Sequence, residues 1–418
     1  MKDKRKHVIF NLAHIRKLGE AIEQVWYLRN LFYDKNKYRI TIFSYPYEIP
    51  DSWRVNKAFF NIIFRGLDVI NSRDDDFLFF SKYNRKPYYI VDKDRIYISS
   101  CDLVYFKQNF MLKYQNIKPP FYFSLSDYEY KRGEKIRNAF GIPKNAPIVT
   151  LHVRESGFDL IKCSTTPYLY TVRDSNIENY VPAINHLIKK GFYVVKIGDK
   201  SMKKILNSPP QLIDAPSHPD YTDLVDPYFI VTSKFYFGSA AGPSTFAEAT
   251  GVPILYVNAR ITPNIWTWGK DLYLFKKYYS HHLKRQLSFE EILLSPAIYL
   301  LNYSLFTAAG IELIENSAQE ILIAVKEMLS RLDGTYPSMQ DNINFNRHFK
   351  LIQAKSYYFQ KQLNPMFPYV PMYHFFDKND FFPISIECLK QNPEFLGHNW
   401  TAMQVNGKEI SDLQELSC

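Results

Sequence analysis

Between residues 145 and 260, short apolar runs alternate with segments of helical periodicity, and no other feature restricts the fold as strongly. Ile148–Val153 (IVTLHV), Phe192–Ile197 (FYVVKI), Phe235–Phe237 and Pro253–Val257 are strand-length and mostly apolar. Such runs suit strands covered on both faces, as in a parallel sheet. Asn176 to Lys190 and Thr222 to Ser233 fall between them and read as helices, and Ser244 to Thr250 as a helical turn. Strand, helix, strand, helix is the pattern of an α/β fold.

The first 140 residues repeat the pattern more weakly. Val8–Leu12 and Tyr38–Ser44 read as strands, with Gly19 to Phe32 helical between them. Trp53 to Ile70 is expected to be a helix, and apolar segments at 77–80, 88–91 and 96–105 to extend the sheet. Lys118-Pro119-Pro120 then breaks regular structure, Ser126 to Phe140 reads as a helix closed by Gly141, and a second α/β unit starts near residue 145. Ser288-x-x-Glu291 and Ser317-x-x-Glu320 fit capping boxes, the latter opening an amphipathic helix to Leu332. Beyond about residue 335 the chain is richer in Asn, Pro, Tyr and Phe, and a mixed extension packing back on the body is expected.

Composition removes several classes. With 46% hydrophobic and 22% charged residues, the chain is neither largely disordered, collagen-like nor a coiled coil. Its 418 residues suit two or three domains. The 17% aromatic content fits either a stacking surface or the codon bias of an AT-rich genome. A net charge of +10 favours anionic partners without choosing among them. Cys101, Cys163, Cys388 and Cys418 have no C-x-x-C spacing, so no zinc site or disulfide framework is suggested and reduced cytoplasmic thiols are expected. The apolar run from His7 to Ala13 is too short for a signal peptide, and Ser295 to Gly310 falls short of the ~20 apolar residues of a membrane span. A cytoplasmic protein is therefore expected, with contact at the inner membrane face left open.

Ligands of open α/β sheets bind outside the carboxyl ends of the strands. The first strand of the second unit ends in LHVRES, placing His152, Arg154 and Glu155 there. Arg154 has the planar donor fork that suits a phosphate, and Glu155 could serve as base or nucleophile. The next strand runs into Gly198, Asp199 and Lys200, which fit either a plain turn or contacts to a ribose and a phosphate. FGSAAGPSTFAEATGVP is a strand, then small residues, then a helix start, an arrangement that presents free backbone N–H groups to an anion. Gly238, Ser239, Gly242, Ser244 and Thr245 would cradle a phosphate, with Glu248 one turn on. The segment is neither a Walker A loop nor G-x-G-x-x-G, which disfavours P-loop and NAD-enzyme readings. Arg173 could close over an anionic substrate. Asp220, Asp223 and Asp226 surround a helix start, where acids suit the dipole, and Asp226 is the second candidate catalytic carboxylate. Lys276 to Arg285 (KKYYSHHLKR) is the densest basic stretch, either a solvated face or a seat for an acidic acceptor or membrane.

These residues carry a family resemblance. HVRE at 152–155, RDSNIENYVPAINHLIKKGFYVVKIGD at 173–199, LID at 212–214, FGSAAGPSTFAEATGVP, GIELIENSAQEILIAVKEML and ISIECLKQNPEFL at 384–396 together resemble a family of bacterial GT-B-type glycosyltransferases from surface-polysaccharide gene sets. The match covers roughly residues 145 to 400. It implies a GT-B-like fold of two Rossmann-like domains facing a cleft: an acceptor domain over 1–140, a nucleotide-sugar domain over 141–334, and the extension over 335–418. It also implies a nucleotide-sugar donor and a glycan or lipid-linked acceptor. No D-x-D occurs near a strand end of the second unit, which disfavours a metal-bound diphosphate, and neither a metal, a cofactor nor a nucleic-acid partner is expected. H-x-R after the strand is similar to fucosyltransferases of GT-B type, where the Arg contacts the donor phosphate; Glu155 departs from their pattern, which puts a fucose donor in doubt. A nucleotide-sugar epimerase of the same architecture and a non-catalytic glycan- or nucleotide-binding module are the rival readings.

Overall fold

The computed structural model describes residues 4–12, 18–44, 56–71, 89–99, 109–110, 113–114, 117–155, 171–205, 208–262, 270–300, 302–336, 345, 348–349, 351–352, 355–356, 359 and 383–397. The chain divides into two compact units. Unit 1 comprises Met1–Thr165 and Leu187–Ile254; unit 2 comprises Thr166–His186 and Leu255–Cys418.

Unit 1 holds two sheets. In the first, β1 (Lys6–Leu12), β2 (Tyr38–Ser44), β3 (Asp68–Asn71), β4 (Tyr89–Asp92) and β5 (Arg95–Ser99) lie in the order β3-β2-β1-β5-β4. All pairs are parallel except β4 on β5, an antiparallel edge that the periodicity did not reveal. Helix α1 (Leu18–Leu31) buries Ala21, Ile22, Val25, Trp26 and Leu28. Two of its polar side chains hold the chain beyond the Lys118-Pro119-Pro120 break. Trp26 Nε1 donates to Phe121 O at 2.8 Å, and Asn30 Oδ1 accepts from Phe121 N at 2.9 Å. Helix α2 covers only Lys57–Ile63, so the helix expected over 53–70 is shorter, and Ile70 lies in β3. The 77–80 segment lies outside the described residues.

The helix expected from Ser126 is α3 (Asp127–Ala139), and it opens on a complete capping box between Ser126 and Glu129. The second sheet of unit 1 contains β6 (Ile148–His152), β7 (Tyr193–Lys196), β8 (Leu212–Asp214) and β9 (Phe235–Gly238), all parallel, in the order β9-β6-β7-β8. Helix α4 (Val181–Lys189) precedes β7, α5 (Val225–Thr232) precedes β9, and α6 (Gly242–Thr250) follows it. The helix expected over 176–190 is in fact a 3-10 turn, Ile177–Tyr180, followed by α4. Asn176 caps that turn through its side chain, which favours a tight local start. Phe123 N donates to Ala249 O at 2.9 Å, so the strap after the proline break also closes the end of α6.

Unit 2 pairs β10 (Ile254–Ala259) with β11 (Leu272–Phe275) in parallel. A three-stranded antiparallel sheet follows, in the order β13-β12-β14, from β12 (Lys277–Ser280), β13 (Arg285–Gln286) and β14 (Ile311–Ile314). Helices α7 (Phe289–Leu293), α8 (Tyr303–Ala308), α9 (Ala318–Leu332) and α10 (Ile386–Gln391) complete it. Ser288 and Ser317 form both expected capping boxes. The buried Glu327 carboxylate of α9 accepts from Ser385 Oγ at 2.6 Å and from the backbone N–H groups of Ile386 and Glu387. It therefore tethers the 384–396 segment to α9. Cys388 is buried there, and burial pushes its thiol up to about 12.

The basic stretch at 276–285 is not a uniformly solvated face. Lys276 is buried and donates to Asp174 O at 2.7 Å; Lys277 pairs with Glu320 at 2.7 Å, and Arg285 makes a two-pronged pair with Glu291. No described helix is long and apolar enough to cross a membrane.

Candidate functional site

The ends of β6, β7 and β9 in unit 1 meet through backbone bonds that fix the loops beyond them. His152, the last residue of β6, is in register with Gly238, the last of β9. Its carbonyl accepts from Ser239 N at 2.9 Å, and Ser239 Oγ accepts from Arg154 N at 3.1 Å. Gly238 has φ 138°, and a Cβ there would lie 2.0 Å from His152 O. Only glycine permits that approach. One strained turn thus seats His152, Arg154 and Ser239 together, all three buried.

The β7 loop joins this group. Gly198 packs against Met202, and a Cβ on it would come within 3.6 Å of His152 Cδ2. Asp199 Oδ1 accepts from Ser201 N at 2.8 Å and from the Ser201 hydroxyl. Glu155 Oε2 accepts from Lys203 N at 2.5 Å, which ties the β6 loop to the far side of the β7 loop. Two buried polar atoms at these strand ends have no partner among the described residues: His152 Nδ1 and Asp199 Oδ2. An orphaned buried polar atom is costly, and a water or a ligand hydroxyl at either atom would remove that cost. Lys200 is exposed on the turn.

Burial and the nearby Arg154 charge hold His152 down at about 4, against an opposing pull from Asp199. His152 is therefore a neutral imidazole at physiological pH. Asp226, in the first turn of α5, is buried, and burial pushes it up to about 8; Asp223 and Asp199 add to this, while the Tyr221 hydroxyl donates to Oδ1 at 3.2 Å and opposes it. The helix dipole alone would push the other way, so desolvation wins. Burial, then Asp226, raises Tyr221. Sequence reading missed Tyr221; its only signal is an aromatic residue five positions before Asp226.

The small-residue segment 238–245 behaves differently from a plain phosphate loop. Ala241 is the N-cap of α6. Ser244 Oγ accepts from Ala241 N at 3.0 Å and donates to Ala241 O at 2.7 Å, so its hydroxyl serves the cap. The Thr245 hydroxyl also turns back to Ala241 O. What remains for an anion is the backbone, and here two helix starts converge. A Cβ on Gly242 would lie 3.2 Å from Gly19 N, and one on Gly19 would lie 3.3 Å from Gly242 Cα. The amino ends of α1 and α6 are thus in contact. Glu248 is half-buried on α6. Arg173 ends a 3-10 turn, Thr171–Arg173, within unit 2. Among the described residues, no group of three or more His, Cys, Asp or Glu side chains is placed to hold a metal.

No family model matches the sequence, and no curated protein does. Among solved structures, the chain is similar to the glycosyl transferase family 9 protein from Veillonella parvula DSM 2008, at 8% identity and a TM-score of 0.50, over 78% of this chain and 98% of that one. At such identity the likeness is one of fold: an α/β architecture with parallel sheets in the GT-B manner. A second similar structure is the E. coli ADP-heptose lps heptosyltransferase II, with 12% identity, a TM-score of 0.42, and 78% and 99% of the two chains covered.

Proposed function

We propose that this protein is a glycosyltransferase that moves a sugar from a nucleotide-sugar donor onto a surface glycan or lipid-linked acceptor. The observation that carries the reading is the meeting of the α1 and α6 amino ends just beyond β9. Two helix starts in contact direct backbone donors and two positive dipole ends at one region, the chemistry a donor diphosphate requires. The fold shared with the Veillonella parvula protein, a glycosyl transferase by its description, supports the same reading.

In this proposal residues 141–334 hold the donor, with the α1 amino end completing the seat of its diphosphate, and the rest of 1–140 serves the acceptor. His152, Gly198, Asp199, Lys200, Gly238, Ser239, Gly242, Ser244, Thr245 and Glu248 form the donor side, with Arg154 as its cation. The neutral His152 imidazole and Asp199 Oδ2 are suited to hydroxyls of the ribose or sugar. Glu155 takes the acceptor hydroxyl's proton as that oxygen attacks the anomeric carbon, and the nucleoside diphosphate leaves. Asp226, which burial pushes up to about 8, is the second candidate catalytic carboxylate. No step is assigned to a metal or cofactor. Neither an epimerase nor a binding-only module is favoured by any observation over this reading.

The test is a thermal-shift series of the full chain with ADP, UDP, GDP and CMP, followed by incubation with the sugar form of the best nucleotide. Stabilisation by one nucleotide and slow release of that nucleotide from its sugar are expected. Conversion to an isomeric sugar, or binding without turnover, would overturn the transferase reading. Arg154→Ala should weaken nucleotide binding by about 1.5–3 kcal/mol, the loss of a charge-assisted bond. Unchanged affinity in the folded variant removes Arg154 from the donor site.

A further inference from the structure

The outward face of α3 carries a stripe of exposed cations. Tyr128, Lys131, Arg132 and Lys135 are exposed and spaced i, i+3, i+4, i+7, which places them in one stripe along the helix. The opposite face is settled by contacts. Gly133 lies against the Tyr228 ring of α5, Tyr130 sits edge-on to that ring with centroids 6.2 Å apart, and Ile136 and Arg137 are buried.

The carboxylates of α3 are directed away from the stripe. Glu129 accepts from Ser126 N at 2.7 Å and pairs with Arg65, and Glu134 accepts the Tyr228 hydroxyl proton. Asp127, at the amino end, is the one exposed acid of the helix. Lys131, Arg132 and Lys135 have no carboxylate partner among the described residues, whereas Lys276, Lys277 and Arg285 of the basic stretch in unit 2 are engaged by Asp174, Glu320 and Glu291. Arg132 lies over the Tyr128 ring at 5.6 Å, and Tyr128 is 68% exposed.

We infer that the α3 stripe is a docking face for an anionic phospholipid bilayer surface. Three unpaired cations beside an exposed tyrosine match the headgroup region, where phosphates meet lysine and arginine and an amphipathic ring sits at the interface. An acidic protein partner is disfavoured because the stripe offers no apolar anchor to bury beyond one ring. The stripe lies within the 1–140 region given to the acceptor in the transferase reading, but none of its residues is assigned to the donor site or the chemistry, so vesicle binding is tested independently of turnover.

The experiment is co-sedimentation of the full chain with vesicles of phosphatidylcholine, alone or with about one-third phosphatidylglycerol. Binding to the anionic vesicles only, weakening as salt rises from ~0.1 to ~0.5 M, is expected. Lys131→Gln/Arg132→Gln/Lys135→Gln should lower partitioning about 100-fold, at roughly 1 kcal/mol per basic residue. The charge-reversed version with three Glu substitutions should fall further, and circular dichroism should show both variants folded. Tyr128→Ser should reduce the binding that survives high salt. Lys189→Glu/Lys190→Glu/Lys326→Glu changes the net charge equally at exposed sites elsewhere and should retain most of the binding. An equal loss in that control, no binding of wild type to anionic vesicles, or capture by soluble polyphosphate without vesicle binding would each overturn the inference.

Discussion

Glu155 poses a single-residue question that geometry sharpens. Its carboxylate caps Lys203 N, so a loop-holding role is visible, and only one of its two oxygens is used in that bond. The two roles separate by substitution. Glu155→Gln keeps an oxygen to accept from Lys203 N and deletes the basic charge; Glu155→Ala deletes both. As the proposed base, Glu155→Gln should drop kcat at least ~100-fold with nucleotide affinity nearly unchanged. Glu155→Ala should show the same fall in kcat plus a raised donor KM from the loosened 198–203 loop. If the Gln variant turns over near the wild-type rate and only the Ala variant suffers, Glu155 is a loop tie, and Asp226 becomes the carboxylate to test.

At the scale of elements, the contact between α1 and α6 is a close one within unit 1. A Cβ on Gly242 would be crowded, 3.0 Å from Leu18 Cβ and 3.2 Å from Gly19 N, so a neighbour must give by a few tenths of an ångström. Gly242→Ala is therefore an overpacking change, expected to cost about 1–3 kcal/mol in urea unfolding. Leu18→Ala in the same chain should recover part of this, giving a coupling above ~0.5 kcal/mol in a double-mutant cycle. Because the same contact aligns the two helix starts, Gly242→Ala should also weaken nucleotide binding. A Gly242→Ala protein of unaltered stability would mean that the two helices part without cost.

For the whole molecule, the two buried titrating groups of the site pull stability in opposite directions. His152 is held at about 4, below its ordinary value near 6.5, so the unfolded chain takes up a proton first and stability falls as pH drops from about 6.5 to 4. Asp226 is raised to about 8, so the unfolded chain loses its proton first and stability falls as pH climbs from about 4 to 8. Between pH 4 and 6.5 the effects offset; between 6.5 and 8 only Asp226 acts, with a slope of at most ~1.4 kcal/mol per unit. Asp226→Asn should therefore be more stable than wild type at pH 8, the gap closing towards pH 4. Urea titrations at pH 5, 6.5 and 8 check this, and two parallel stability profiles would refute it.

The local signals in the sequence were strong where one element decides its own shape. Ser288 and Ser317 announced their capping boxes because the partner Glu lies three residues away. The strands β6, β7 and β9 were legible because burial on both faces leaves a continuous apolar run. Candidate residues at their ends followed from strand direction alone, which is why His152, Arg154 and Asp199 could be named in advance. Nothing local distinguishes Glu155 as a tie to Lys203, Ser244 as a cap, or Lys276 as a buried donor to Asp174, because each partner is fixed by backbone brought in from another segment. The antiparallel sheet β13-β12-β14 was hidden for the same reason: its pairing joins 277–280 to 311–314, and short strands carry little periodicity of their own. The contact of Gly19 with Gly242, more than two hundred residues apart, is likewise a product of packing. Sequence determined which segments become strands and helices; tertiary structure decided which polar groups stay available, since that depends on which neighbours have already taken their hydrogen bonds.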